Sequence, residues 1–444
     1  MKNFIKKFKF VAYIFLLILI GISGYKTHKY INLQKLINTP ISELTEEQKL
    51  EDFEYLYNTI VENYPFLEVN KRKYGVDWEA NKEKYIELIK QEPDFEVALN
   101  QILSELNNSH TNLTTKSFLE YATYIYQSID ETTLEELNLS KEEVNWNSIQ
   151  SRLEVLNNPL VQARYGLDAN TNPYFNTNSE VWENYTTNAQ VRDIVEGKVA
   201  SIYIPSMISY DALEEDRKII IEYLNKVKNY QALVIDIRGN GGGNSSYWQA
   251  FLLPLILKES AEVKDYAFYK DGEIIKKELE NSGETIFKVE DLDLSQLPNL
   301  PPEISEDFTY YTEGSLEILP DEENYIGFDG NIYLFVDGSV FSSSESLAVY
   351  AKEMGFATII GEQTKGDGIG GGFEPLLTML PNSGYVIRFT GGMGVTSDGT
   401  CNAEYGTTPD YIVPSAKYPD EYINLDKCVE KVLELEGIDT RELK

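Results

Sequence analysis

The stretch Ala232-Leu233-Val234-Ile235-Asp236-Ile237-Arg238-Gly239-Asn240-Gly241-Gly242-Gly243 decides the fold. Its first six residues are almost wholly apolar and lack the alternation of a strand with one wet face, so the strand they form is buried on both faces. Four glycines within the five positions 239–243 then end it and free the backbone for φ > 0 and for close approach to a ligand. Upstream, Val199 to Ile204 reads as a strand and Tyr210 to Val227 as a helix. Downstream, Asn331 to Val336 and Ala357 to Gly361 read as strands on either side of a helix, Leu347 to Met354. Apolar strands alternating with helices give an α/β core.

The glycine loop admits several readings. A phosphate loop needs a Gly-Lys-Ser/Thr or Gly-x-Gly-x-x-Gly pattern, and neither is present. A tight turn and an oxyanion hole, which needs only a freely positioned N–H, both remain open. Phe341-Ser342-Ser343-Ser344-Glu345 is similarly two-sided. Serines at a helix start are ordinary caps, but unpaired N–H groups and the helix dipole also make that place suitable for a serine nucleophile.

Ahead of this core, Thr45 and Gln48 form a capping box, and apolar residues recur at helical spacing from Leu50 to Val61 until Pro65. Trp78 to Lys90 and Asp94 to Leu106 are expected as further helices, followed by a polar turn, Asn107-Asn108-Ser109-His110-Thr111. Thr114 to about Asn188 is mixed in pattern. Tyr247 to Leu257 reads as helix, Val263 to Val289 as strands, and the acidic, proline-bearing Glu290 to Asn324 as a surface loop.

With 39 Lys+Arg against 72 Asp+Glu, the formal charge of -33 repels nucleic acid and excludes it as a partner class. The N-terminus departs from this acidity: Lys2, Lys6, Lys7 and Lys9 precede an apolar run from Phe10 to Ile22. That pattern predicts export, with residues 1–25 as an uncleaved signal anchor or a cleaved signal peptide. The expected location is the cell membrane, single-pass through residues 10–25 with the remainder outside the cytoplasm, or secretion if the segment is removed. Cys401 and Cys428 are either a disulfide or two free thiols, and two histidines with two cysteines make a zinc site improbable.

Four motifs in order resemble the C-terminal processing peptidases, a superfamily that includes the tricorn core protease and retinoid-binding modules: Asp236 to Gly243, Phe341 to Glu345, Ile360-Gly361-Glu362-Gln363-Thr364, and Gly406-Thr407-Thr408-Pro409-Asp410. The resemblance covers roughly Val199 to Val413. It implies a ClpP/crotonase-like α/β core with a mixed sheet flanked by helices, preceded by a small N-terminal helical domain. It implies Ser342 as nucleophile, and the N–H groups of Ser343 and Gly242 as oxyanion donors. The processing peptidases place a lysine base between two glycines, but here Gly366-Asp367-Gly368 carries Asp367, with Lys365 two residues away. The tricorn-like alternative points to His110, preceded by Ser109, as base, with Glu404 orienting it. The resemblance implies no cofactor or metal, and the PDZ domain that many processing peptidases carry is not expected here, because Thr114 to Asn188 lacks its glycine-rich loop and apolar strand pattern.

The expected organisation is therefore 26–44 linker, 45–113 helical domain, 114–195 cap or inserted subdomain, 196–430 catalytic core and 431–444 tail. The expected function is an exported serine peptidase with a Ser-His-Glu arrangement acting on peptides or proteins. The alternative is a non-catalytic peptide- or small-ligand-binding module on the same fold. Oligomeric state is not legible.

Overall fold

The computed structural model describes residues 43–443 except 133, 135–139, 142–143, 168–187, 209–212, 370–374 and 416–425. The apolar run from Phe10 to Ile22, its lysines, His28 and nearly all of the expected linker lie outside the described residues. Among the described residues no helix is long and apolar enough to cross a membrane.

The described chain begins with α1 (Glu46–Asn63), opened by the expected capping box, in which Thr45 Oγ1 accepts the Gln48 N–H and the Gln48 side chain accepts the Thr45 N–H. α2 (Leu67–Tyr74), α3 (Lys82–Gln91) and α4 (Phe95–Ser104) follow, the last capped by Asp94. β1 (Asn112–Leu113) leaves this region, and α5 (Lys116–Ser128), α6 (Trp146–Leu156) and α7 (Pro159–Tyr165) occupy the first part of the expected cap. The core opens with β2 (Gln190–Val195), β3 (Val199–Tyr203), α8 (Leu213–Val227) and β4 (Ala232–Asp236). A π-helical turn, Tyr247–Leu252, runs into α9 (Leu253–Ile256). β5 (Ala261–Tyr269), α10 (Glu273–Ser282), β6 (Phe287–Lys288) and β7 (Tyr310–Ile318) come next. β8 (Asn331–Val336), α11 (Ser343–Met354) and β9 (Thr358–Gly361) then return to the core. Beyond them lie β10 (Leu376–Met379), β11 (Val386–Phe389), β12 (Gly392–Val395), α12 (Asn402–Tyr405), β13 (Tyr411–Ile412) and α13 (Lys427–Glu436).

The central sheet has the order β13-β9-β8-β4-β3-β2, parallel throughout except for β2, which is antiparallel to β3. All five residues of β4 are buried, as its unbroken apolar run requires. One face packs Leu233, Ile235 and Leu334 under Leu224, Trp248 and Leu347 of the covering helices, while the other packs Val234, Phe335 and Ile360 under Val429, Val432 and Leu433 of α13. The core thus reaches back to β2 before residue 196. The stretch expected as a tail from 431 continues α13, because its apolar face seals the sheet.

A second sheet, β12-β5-β7-β6, is antiparallel. Here the local readings differ from the structure: Val263 to Val289 contains α10, and the expected acidic loop Glu290 to Asn324 contains the nine-residue β7. Charge did not prevent pairing because Glu313 and Glu317 project from the exposed side of β7. The N-terminal helices share one core with this sheet and with the third, β1-β11-β10, through Phe53, Leu56, Leu99, Phe268, Ile387 and Phe389. Pairing of Asn112 with Arg388 and of Leu113 with Ile387 carries the turn 107–111 onto the C-terminal half of the chain.

At the end of β4, Arg238 is 2 % exposed and bonds Asp236 through Nε (2.9 Å) and Nη2 (2.6 Å). Its Nη2 also lies 2.8 Å from Asp426, the cap of α13. Burial raises the Asp236 carboxyl above its ordinary range, and the guanidinium opposes that shift. One cation therefore ties α13 to the last residue of β4, just ahead of the glycine loop. Removing it strands two buried carboxylates, so Arg238→Leu is expected to lose about 3–5 kcal/mol of stability, read by urea denaturation.

Candidate active site

Ser342 sits at the head of α11 with φ 57° and ψ −126°, a left-handed backbone rare for a residue with a side chain. Two contacts fix it. Ser344 Oγ donates to the Asn240 carbonyl at 2.6 Å and accepts the Phe341 N–H at 3.2 Å, clamping the helix start to the glycine loop. On the other side, Lys365 N–H donates to Val340 O at 2.9 Å and Phe341 bridges to Gly366, so residues 365–367 run beside the serine turn.

The turn 107–111 arrives from the helical region. His110 Nε2 lies 3.2 Å from Ser342 Oγ, and its Nδ1 lies 2.9 Å from Asp367 Oδ2. Asn108 fixes both partners: its Nδ2 donates to Asp367 Oδ2 at 3.0 Å and its Oδ1 accepts the His110 N–H at 2.8 Å. A carboxylate only accepts, so Nδ1 is the protonated nitrogen and Nε2 turns its lone pair toward the hydroxyl. The Asp367 side chain is nearly sealed, at 7 % exposure, against 26 % for His110. Ser342, His110 and Asp367 therefore form a continuous hydrogen-bonded row.

The position read in sequence as a missing lysine holds the third member of this row. Asp367 adopts φ 62° between two glycines, a conformation that Asp and Asn tolerate better than most residues. An acid in a Gly-x-Gly turn was the signal available for it. Glu404, expected to hold the imidazole, does not reach it. Its oxygens accept from Arg72 Nε at 2.9 Å and Nη2 at 2.6 Å, and the same guanidinium holds Glu303 at 2.8 and 2.9 Å. The short α12 turns Glu404 toward α2, and hydrogen bonding to Glu404 and Glu303 holds the Arg72 guanidinium above its ordinary pKa despite burial.

Ser109 is also off the imidazole: its Oγ accepts from Lys365 Nζ at 3.1 Å, and its carbonyl accepts from Arg388 Nη2 at 3.0 Å. Gly242 lies against Ser342, since a Cβ there would come within 2.8 Å of Ser342 Cβ and 3.0 Å of Ser343 N. Its own N–H, expected as an oxyanion donor, instead donates to Asn240 Oδ1 at 2.8 Å. The Ser343 N–H opens α11 and has no intrahelical acceptor. Cys401 and Cys428 are both free and buried, Cys401 among the N-terminal helices and the second sheet and Cys428 under the central sheet.

Beneath the row, buried Glu345 accepts from Asn402 Nδ2 and Thr407 Oγ1, each at 2.7 Å, and Asn402 Oδ1 accepts the Gly368 N–H, also at 2.7 Å. The helix that follows Ser342 is thus braced to the residue after Asp367. Burial raises the Glu345 carboxyl above its ordinary range, against the lowering effect of its hydrogen bonds. A raised folded-state pKa adds stability below the unfolded value that is lost as pH rises through the folded one. Glu345→Gln is therefore expected to raise the thermal midpoint more at pH 8 than at pH 4.5, measured by calorimetry.

Residues 198–413 match the profile of peptidase family S41. No curated protein matches the chain. Among solved structures, a candidate peptidase from Parabacteroides merdae ATCC 43184 superposes with a TM-score of 0.52 at 19 % identity, covering 87 % of this chain and 96 % of that one. Mature CPAF complexed with lactacystin gives 0.53 at 14 %, covering 88 % and 98 %, and mature CPAF alone gives 0.51 at 13 %, covering 88 % and 96 %. At these identities the structures attest the fold, a mixed α/β core with a helical N-terminal region.

Proposed function

For a chain that belongs to peptidase family S41 through residues 198–413, and so to a family of serine-type peptidases, we propose a Ser342–His110–Asp367 triad that cleaves peptide bonds through an acyl-enzyme. One observation carries the reading: the unbroken row from Ser342 Oγ through both ring nitrogens of His110 to Asp367, with links of 3.2 and 2.9 Å. His110 Nε2 takes the hydroxyl proton as Oγ attacks the scissile carbonyl, and passes it to the leaving amine. Asp367 holds the tautomer and stabilises the imidazolium. The Ser343 N–H, at the positive end of α11, supports assignment as an oxyanion donor, a role typically worth about 3 kcal/mol. Water admitted after the amine leaves is activated by the same imidazole and frees Ser342.

The lysine-headed apolar segment from Phe10 to Ile22 supports a further part of the proposal, anchorage in a membrane with the peptidase outside the cytoplasm. The acceptor set on His110 favours a catalytic protein over a binding module on the same fold, because a ligand-binding site has no need of a serine in hydrogen-bond reach of an oriented imidazole.

The full chain, in detergent, is expected to acquire a fluorophosphonate label on Ser342. Ser342→Ala and His110→Ala should abolish labelling, and Asp367→Asn should slow it by about 10⁴-fold through the wrong tautomer. Glu404→Gln should stay within about threefold of the parent while losing about 1–2 kcal/mol of stability. An unlabelled parent sinks the peptidase proposal, and slow labelling in Glu404→Gln with normal labelling in Asp367→Asn overturns the triad.

A further inference from the structure

Two cations, Lys365 and Arg388, bond the loop that carries His110, a third, Lys73, bonds the carbonyl of Lys365 beside it, and among the described residues none has a carboxylate within ion-pair distance. Lys365 Nζ donates to Ser109 Oγ at 3.1 Å and stands 4.7 Å from the centre of the Phe341 ring, which itself packs 4.7 Å from the His110 imidazole. Lys73 Nζ donates to the carbonyls of Lys365 (3.3 Å) and Ala403 (2.9 Å), and Arg388 to those of His110 (3.2 Å) and Ser109 (3.0 Å). The acids close by are engaged elsewhere: Asp367 by His110 and Asn108, Glu404 by Arg72.

Lys365 is the member free to reach outward. It is exposed, and one of its three N–H donors is used by Ser109. Lys73 and Arg388 are both committed to backbone carbonyls, so these two contribute field more than contact. His110 returns its proton to the leaving amine, which makes the His110–Phe341–Lys365 flank the leaving-group side.

We propose that Lys365, backed by Lys73 and Arg388, binds a carboxylate of the substrate on the leaving-group side, either an acidic side chain or the chain end. This rests on the peptidase reading. A carboxylate meeting an exposed ammonium changes selectivity by about two- to fivefold, and the acidity of the remaining surface repels the same peptide elsewhere.

The test digests a mixed peptide library with the full chain in detergent and maps the residues after each cleaved bond. The parent is expected to enrich Asp, Glu or a free chain end within about three residues of the cut, by about threefold. Lys365→Glu should reverse the preference toward Lys and Arg, and Lys365→Ala should flatten it. Amidating the library's C-termini separates the two sources: enrichment that survives belongs to side chains, and enrichment that vanishes belongs to the chain end. Cleavage without acidic enrichment, or enrichment unchanged in Lys365→Glu, overturns this inference alone. No cleavage above the Ser342→Ala background overturns the peptidase reading and this inference with it.

Discussion

Among the described residues four with side chains stand at positive φ, and two of them, Ser342 at 57° and Asp367 at 62°, meet the imidazole of His110; the rest of the site is arranged around that constraint. Each such conformation costs on the order of 1–3 kcal/mol and persists only where its surroundings over-determine it. The surroundings are identifiable: Ser344 clamped to Asn240, the strand-like pairing of residues 340–341 with 365–366, and the Glu345–Asn402–Gly368 brace below. Together they hold two turns from separate parts of the chain facing the same imidazole.

The imidazole itself is delivered from more than two hundred residues away. β1 has only two residues, yet its pairing with β11 and the shared core of helices and sheets fix the turn that bears His110. Arg388 finishes the job from β11 by holding the carbonyls of Ser109 and His110. The N-terminal helices are in this sense part of the catalytic half, although they share no strand with the central sheet. The charged groups under the site, Arg238 with Asp236 and Asp426 and Arg72 with Glu303 and Glu404, are held in ion pairs.

Where the chain's local pattern and its tertiary need agree, the sequence was readable. The apolar run of β4 could only be a strand buried on both faces, and Thr45 with Gln48 announced the start of α1. Motif order and the scarcity of histidine single out Ser342 and His110, which the fold brings within 3.2 Å of each other. Asp367 was read as an absence, because attention to the lysine slot hid the fact that a left-handed turn suits an acid. Glu404 failed as an orienting group for a reason invisible in one dimension: Arg72, on a distant helix, binds both of its oxygens. β7 was masked by its acidic residues, since charge on the exposed side of a strand is compatible with pairing.

The central claim is that Asp367, across 257 positions of sequence, holds His110 with its proton on Nδ1. Because His28 is the one other histidine, a ¹H–¹⁵N imidazole NMR spectrum of the full chain carrying His28→Gln reports His110 alone. The account predicts a protonated Nδ1 with a downfield, slowly exchanging proton in the resting protein, retained in Glu404→Gln and lost in Asp367→Asn. A proton resident on Nε2, or an Nδ1 resonance unmoved by Asp367→Asn, would contradict it.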